Sequence, residues 1–302
     1  MSDELREVPC PSCNSAERIP LAVIKLSPVR IESTLVRCVD CGLAFVSPRP
    51  TEEFEKNFYA TQHYKLEDEN SWRENRLPFF KWALDQMEAR ATGRRLLDVG
   101  CGGGFFLDLA RSRGWEVKGT EISEDGIQRA KQMNLDVFQG RLAEANYKAN
   151  SFSVITLWNV LDQMMEPKKE TETIFHLLEP GGLLALRVSN LAFHLTMHHL
   201  WNGARKTPLA GWLREKPTVF HLQMFDRSSL VNFFQQAGFK EVLVKNSILD
   251  AKNEVLKGLF GKSGAQAAAF AAYLMAELAR GLSGGLWVSG PSLFVLARKP
   301  YE

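Results

Sequence analysis

The stretch LLDVGCGGGFFLDL, residues 96–109, decides how this chain folds. It begins with an apolar run interrupted only by Asp98, and glycines follow at positions 100, 102, 103 and 104. Apolar residues then recur at helical spacing until Gly114 provides a stop signal. The stretch therefore predicts a strand, a glycine loop and a helix, which together bring bare backbone and unpaired helical N–H groups close to a ligand.

The glycine pattern distinguishes two classes of ligand. A dinucleotide-binding loop follows G-x-G-x-x-G, and its third glycine would fall at position 105, which is Phe105. Alternate glycines preceded by an acid instead resemble motif I of the class I S-adenosylmethionine (SAM) methyltransferases. In that family the loop wraps the zwitterionic amino-acid end of SAM, and a carboxylate beside it can favour the ammonium group. The resemblance implies SAM contacts from Asp98, Gly100, Cys101, Gly102 and Gly104, with Cys101 also a small packing residue. The alternative is a tight glycine turn in some other α/β protein.

Residues 117–122, VKGTEI, predict the next strand, which ends in Glu121. This acid lies about 20 residues beyond the glycine loop, at the offset of a ribose-binding carboxylate. It could accept hydrogen bonds from both ribose hydroxyls, or it could be a solvated acid at the end of a strand. Ser123 is expected to cap a helix over residues 124–133.

Composition and charge exclude several classes of protein. The 302 residues allow one large or two ordinary domains, and 45% hydrophobic and 24% charged residues are ordinary for a soluble globular protein. A net charge of +2 gives nucleic-acid binding no support. The N-terminus carries no apolar signal region, and the longest apolar stretch, residues 267–279, is too short to span a bilayer. We therefore expect a cytoplasmic protein with no transmembrane segment, and its oligomeric state stays open.

Four of the five cysteines lie in two C-x-x-C pairs near the N-terminus. Four thiolates can close a tetrahedral zinc site, and strand-like pieces at 22–26, 34–37 and 43–46 indicate a zinc ribbon over residues 1–50. Two disulfides or a redox dithiol are the alternatives, although a cytoplasmic location disfavours disulfides. A site with four cysteine ligands leaves no open position, so we expect structural zinc held by Cys10, Cys13, Cys38 and Cys41.

The run CVDCGLAFVSPRP, residues 38–50, leads into helices rich in aromatic residues over 51–92. This junction resembles a methyltransferase subgroup that carries an N-terminal zinc ribbon and whose helices cover the SAM cleft. The resemblance implies a SAM contact from Tyr64, for which ordinary helix packing is the alternative. It also implies cofactor contacts near the predicted strands, from Ile122, Arg141, Leu142 and Asn159, of which Arg141 and Leu142 could equally be plain loop residues.

Strands and helices keep alternating along the rest of the chain. Strands are predicted at 135–138, 151–158, 183–188, 241–245 and 292–297, with a helix at 168–178. This alternation predicts an α/β fold, a doubly wound and mostly parallel sheet, and the resemblance implies seven strands in a Rossmann-like methyltransferase domain over 93–302. Insertions are expected at about 191–219, where three histidines could suggest a metal, a lid or packing, and at about 250–290, around an Ala-rich helix.

Two residues are candidates for acid–base chemistry. Asp162 and Gln163 stand where relatives often have a Glu-His pair, and Gln163 cannot take up a proton at neutral pH. Asp162 could still act as an acceptor, or be a plain acid at a helix start. By resemblance His221 is the general-base candidate, with a structural histidine as the alternative, and the sequence offers no second group to orient it.

The reading that accounts for most of the chain is SAM-dependent methyl transfer to a small-molecule acceptor. The resemblance implies a sugar, a secondary-metabolite scaffold or a glycolipid as the acceptor. One alternative is an interaction protein with a zinc ribbon on a degenerate methyltransferase fold. A nicotinamide-dependent oxidoreductase is the other, and Phe105 counts against it.

Overall fold

The computed structural model describes residues 5–26, 31–51, 69–204, 219–248, 271, 274–285 and 287–302. The strands are β1 Leu5–Arg6, β2 Arg18–Lys25, β3 Glu32–Cys38, β4 Ala44–Val46, β5 Arg49–Pro50, β6 Arg95–Val99, β7 Glu116–Glu121, β8 Val137–Gln139, β9 Phe152–Trp158, β10 Leu178–Ser189, β11 Gln223–Met224, β12 Lys240–Asn246 and β13 Ser292–Arg298. The helices are α1 Glu69–Glu88, α2 Phe105–Ser112, α3 Glu124–Gln132, α4 Pro167–Leu177, α5 Leu191–Ala204 and α6 Arg227–Gln236.

The central sheet has seven strands in the order β12-β13-β10-β9-β6-β7-β8. Strands β10, β9, β6, β7 and β8 run parallel to one another. Strand β13 is antiparallel to both of its neighbours, β10 and β12. The fold predicted from the sequence, a mostly parallel seven-stranded α/β sheet, is confirmed. Every residue of β9 except Trp158 is buried, as expected for a sheet covered on both faces.

The two faces of the sheet pack into two separate cores. Neighbouring residues of one strand fall into different cores: Leu96 lies on the side of α1 and α2, and Leu97 on the side of α4 and α6. On the first side, Phe79 and Phe80 of α1 pack with Phe106 of α2. The helix predicted as a cap is therefore bound to the sheet over its C-terminal half.

Some predicted boundaries differ from the observed ones. The strand expected at 135–138 begins at Val137, because Leu135 belongs to the turn that ends α3, where its N–H donates to the Ala130 carbonyl. Its apolar side chain is buried, and burial alone does not distinguish a strand from a helix end. Strand β10 begins earlier than expected, at Leu178, and continues past the glycine turn with a register shift.

A second sheet contains the predicted ribbon. Its four strands lie in the order β11-β4-β3-β2, all antiparallel. Strand β11 comes from far along the chain, so the ribbon sheet is completed by a strand from the segment predicted as the third domain, residues 93–302. Cys10 and Cys38 lie in the same buried cluster as Leu157 and Phe233. The division into segments 1–50, 51–92 and 93–302 stays a prediction, and these contacts show that the first and third of them share a core.

The expected insertions are only partly described. Helix α5 occupies the start of the first one, and residues 274–282 are helical within the second. Tyr64, residues 205–218 and residues 249–270 lie outside the described residues. No helix in the described part of the chain is long and apolar enough to cross a membrane.

Candidate active site and cysteine centre

The glycine loop joins β6 to α2 through three residues with positive φ. Gly100, Gly102 and Gly104 have φ angles of +68°, +55° and +81°. A Cβ on Gly104 would lie 2.4 Å from Cδ1 of Leu135, whereas a Cβ on Gly102 would have no atom within 4 Å. The backbone at Gly102 therefore borders open space, where a ligand can approach it closely.

Glu121 fixes the conformation of this loop. Its Oε2 accepts the Gly102 N–H at 2.7 Å, and its Oε1 accepts the N–H groups of Ile122 and Ser123 at 2.9 and 2.8 Å. A carboxylate offers about four lone-pair positions, so about one remains for a ligand hydroxyl. The acid predicted to bind ribose thus also joins the loops that follow β6 and β7.

Asp98 is a buried carboxylate directly behind the loop. It stands opposite Thr156 in the register of β6 and β9, and the Thr156 hydroxyl donates to its Oδ1 at 2.6 Å. Burial raises the pKa of Asp98 to about 8; the Thr156 hydrogen bond lowers it, and the charge of Glu121 adds to the rise. A cation bound at this place would stabilise the charged form.

The other predicted cofactor residues around the loop fall into two groups. The Cys101 thiol packs against β7, 2.8 Å from where a Cβ on Gly119 would stand, and burial raises its pKa. Leu142 packs into the core, with 3% of its surface exposed. Ile122 and Arg141 are exposed, so their side chains can reach a ligand over the loop.

Asn159 follows the last residue of β9 and adopts a φ of +62°. Its N–H donates to the Arg187 carbonyl, its carbonyl accepts Nε2 of Gln163, and its Oδ1 accepts Nη1 of Arg76 at 2.9 Å. The sequence analysis missed Arg76, although it lies one helical turn before Phe79 on a face that packs on the sheet. A positive charge from α1 therefore stands beside the carboxyl end of β9.

Asp162 and His221, both predicted as catalytic candidates, meet in the structure. Asp162 is fully buried in the short 3₁₀ turn after β9, and its Oδ2 accepts the Ser189 N–H at 3.1 Å. The same Oδ2 lies 3.9 Å from Nε2 of His221, an ion-pair distance that is too long for a hydrogen bond. The sequence analysis identified no group that could orient His221. The structure places Asp162 beside it, at the carboxyl edge of β9 and β10.

Three buried polar atoms around this pair have no hydrogen-bond partner in the described part of the chain. They are Oδ1 of Asp162, Nδ1 of His221 and Oε1 of Gln223. Buried polar atoms are normally hydrogen-bonded to protein or water, so each of these atoms requires an explanation. A bound acceptor or ordered water at this edge of the sheet would satisfy them.

Among the described residues, the histidines of the first insertion are not grouped with other possible ligands into a metal site. His194 uses both ring nitrogens: Nδ1 accepts the Val219 N–H at 3.3 Å, and Nε2 lies 3.1 Å from the Pro291 carbonyl. Burial lowers its pKa to about 4, the bond to Pro291 raises it, and the neighbouring His221 lowers it further. His194 is therefore neutral near pH 7 and holds the chain just before His221.

The four N-terminal cysteines converge on one point. The Sγ atoms of Cys10 and Cys41 are 3.4 Å apart, those of Cys13 and Cys38 are 3.5 Å apart, and all four lie within 4.8 Å of one another. These distances are longer than the roughly 2.05 Å of a disulfide bond and close to the roughly 3.8 Å expected between thiolates on a tetrahedral zinc ion. Asn14 and Gly42, at the two turns, have the positive φ angles that bend each pair around one point.

Comparisons with known proteins agree with this geometry. A family model described as a methyltransferase domain matches residues 63–244. The chain is 25% identical over 177 residues to a probable S-adenosylmethionine-dependent methyltransferase of Mycolicibacterium smegmatis, which covers 58% of this chain and 62% of that protein. It is 28% identical over 166 residues to a ubiquinone biosynthesis O-methyltransferase of Psychrobacter arcticus, which covers 48% of this chain and 65% of that protein. The chain thus spans less than two thirds of the length of these curated relatives.

Among solved structures, the chain is similar to a chain of the complex between the Haloferax volcanii Trm112 methyltransferase activator and the putative methyltransferase. The TM-score is 0.50 at 14% identity, over 77% of this chain and 94% of that chain, a likeness that shows the fold alone. The family model covers more than half of the chain and extends from α1 through the parallel strands into β12. The chain therefore belongs to the class I SAM-dependent methyltransferase family.

Proposed function

We propose that this protein transfers the methyl group of SAM to a nucleophilic atom of a small-molecule acceptor. The observation that carries the proposal is the convergence of a glycine loop, a buried acid and a second acid at Gly102. Asp98 supplies the negative charge for the ammonium of SAM, Arg76, beside Asn159 at the carboxyl end of β9, supplies a positive charge for the carboxylate, and Glu121 accepts a ribose hydroxyl. Ile122, apolar and 51% exposed, covers the adenine.

The chemistry needs alignment more than it needs a strong base. The acceptor atom forms a bond to the methyl carbon while the carbon–sulfur bond breaks and its electron pair goes to sulfur. Proximity and orientation can supply about 7–11 kcal/mol of the barrier when the reactants are well aligned. The contribution of this chain is to hold both reactants at the carboxyl ends of β6, β7 and β9, where ligands bind in such sheets.

The Asp162–His221 pair favours an acceptor that loses a proton, such as a hydroxyl. Nε2 of His221 faces Asp162, so Nδ1 is left to take the acceptor's proton, and Asp162 stabilises the imidazolium that forms. O-methylation is also the reaction named for the ubiquinone-biosynthesis relatives. We propose a hydroxylated sugar, secondary metabolite or glycolipid as the acceptor class.

The cysteine cluster supports a structural zinc ion. Four sulfur ligands at near-tetrahedral spacing satisfy zinc completely and leave no position for a substrate. Bound there, zinc would join the two turns of the ribbon, whose short strands have little core of their own. Cys10 and Cys38 would bind it from within the main core, where both are buried.

We expect SAM to bind with micromolar affinity and NADH not to bind in isothermal calorimetry. Glu121→Ala should weaken SAM binding at least about tenfold, since a hydrogen bond to a charged group contributes roughly 1.5–3 kcal/mol. Because Glu121 also holds the loop, S-adenosylhomocysteine and its 2′-deoxy analogue should be compared in both proteins. Removal of the hydroxyl should weaken binding to the wild type alone. If removal of the hydroxyl weakens binding equally in both proteins, Glu121 does not contact the ribose. NADH binding would overturn the proposed function.

SAM affinity should rise between about pH 6 and pH 8. The pKa of Asp98 is about 8 in the folded protein, against about 3.9 when unfolded. Between these two values the unfolded chain has lost this proton and the folded chain retains it, so stability falls as pH rises. Deprotonation of Asp98 has the opposite effect on binding, because the charged carboxylate attracts the ammonium group of SAM. Asp98→Asn should therefore flatten the affinity profile, weaken SAM binding at pH 8 and raise the urea midpoint of the ligand-free protein there.

The matched control for Asp98→Asn is Glu172→Gln, which alters an exposed acid on α4 and should leave both profiles unchanged. If SAM affinity depends on pH in Asp98→Asn as it does in the wild type, the pH dependence arises from another group.

Protein purified without added metal should contain one zinc ion per chain by elemental analysis. Cys38→Ser should lose the metal and unfold the ribbon strands while SAM still binds, because the glycine loop belongs to other strands. Cys101→Ser is the control and should keep its zinc, since Cys101 lies outside the cluster. A native protein without zinc, or one that holds disulfides under reducing conditions, would contradict this assignment.

His221→Ala should lower turnover by roughly 10²–10⁴-fold, the usual contribution of a general base, and leave SAM affinity unchanged. The measurement uses an acceptor identified in a screen with methyl-labelled SAM. His199→Ala, at an exposed position on α5, is the matched control and should retain full turnover. If the His221→Ala variant keeps the wild-type specific activity per folded molecule, His221 is not the base. Catalysis would then depend only on the positioning of the reactants.

A further inference from the structure

The segment that carries His221 is part of the ribbon sheet. Strand β11 begins two residues after His221 and pairs antiparallel with β4. The Val46 N–H of β4 also donates to the Leu222 carbonyl at 2.9 Å. The backbone directly after His221 is thus held by the ribbon, so a shift of β4 would displace the histidine.

The methyltransferase part holds the same segment from the opposite side. Nε2 of Gln223 donates to the Met164 carbonyl at 2.7 Å, two residues beyond Asp162. Asp162 is itself anchored by the Ser189 N–H at the end of β10. The distance between Asp162 and His221 is therefore set by how the ribbon sits against the central sheet.

One side chain joins the cysteine turns to this segment. Nη1 of Arg37 donates to Oδ2 of Asp226 at 3.0 Å and to the Gly42 carbonyl at 3.2 Å. Gly42 directly follows a cysteine of the cluster, and its N–H donates to the Cys38 carbonyl at 3.1 Å. The two charged side chains are 32% and 21% exposed, so the pair is better shielded from solvent than an ordinary surface ion pair.

We propose that Arg37 is a positioning residue for the acceptor side of the active site, and that the cysteine ribbon sets the contact between His221 and Asp162. The inference rests on the proposed function, in which His221 receives the acceptor's proton. It assigns the ribbon to the acceptor half of the reaction. The SAM half depends on Gly102 and Glu121, which lie on elements that do not pair with the ribbon.

The first test follows the His221 ring by NMR of protein labelled with ¹⁵N-histidine. The chain has 6 histidines, and the His221 signals are those lost in His221→Gln. Arg37→Gln should shift these signals and lower turnover by up to roughly 10²-fold, as a small misplacement of a reacting group can do. Zinc content and SAM affinity should stay at wild-type values, and Arg37→Lys should recover part of both effects.

The matched control is Arg18→Gln, at another ribbon arginine. Arg18 lies on β2, at the opposite edge of the ribbon sheet from β11, and bonds Glu7 and the Val8 carbonyl. This variant should leave the His221 signals, turnover and SAM affinity unchanged. An equal effect of both substitutions would mean that the ribbon matters only for overall stability, and would overturn the role of Arg37.

Metal removal supplies a second test if Arg37→Gln folds poorly. Wild-type protein stripped of zinc by a chelator should show a shift of the His221 signals with SAM affinity retained. Unchanged His221 signals in the stripped protein, or a parallel loss of SAM affinity, would overturn the inference. Wild-type protein that fails to bind SAM would instead refute the proposed function, while the NMR measurement, which needs no SAM or acceptor, still decides whether the ribbon positions His221.

Discussion

The glycine loop depends on one carboxylate that binds three backbone N–H groups. Glu121 joins the glycine loop after β6 to the turn after β7. Glycines with positive φ give the loop its shape, but they have no side chains with which to hold it. A second acid, Asp98, lies behind the loop with its pKa raised by burial. Two acids kept close together cost stability, and such a cost is expected where a cationic ligand group must bind.

The proposed acceptor half of the site lies where the ribbon sheet packs against the central sheet. The ribbon is too small to form a core alone, and it gains β11 and a shared apolar cluster from the methyltransferase part. The same strand pairing fixes the backbone of the segment that contains His221. The buried atoms of Asp162, His221 and Gln223 that have no hydrogen-bond partner among the described residues lie at this join. The four clustered cysteines and the neighbouring Asp162 and His221 thus belong to one continuous packing arrangement.

Local pattern was enough to predict the central sheet, the glycine loop and the cysteine cluster. Strand and helix periods report which residues are buried, and glycine reports where the backbone must turn. Ser123 was expected to cap α3, and its hydroxyl accepts the Gly126 N–H. Spacing also placed Glu121 beside the loop. Each of these features depends on residues that are close in sequence, or on thiols whose chemistry requires a common partner.

Only the tertiary structure decided which distant side chains meet. Asp162 and His221 are 59 positions apart, Arg76 and Asn159 are 83 apart, and Arg37 and Asp226 are 189 apart. Neither periodicity nor spacing records such pairs, because each forms only after the strand order of two sheets is set. The sequence by itself determined most of the central strands and helices, the glycine loop and the two cysteine pairs that cluster. The fold decided that His221 has an acid beside it and that the ribbon holds it there, since both depend on how the two sheets pack together.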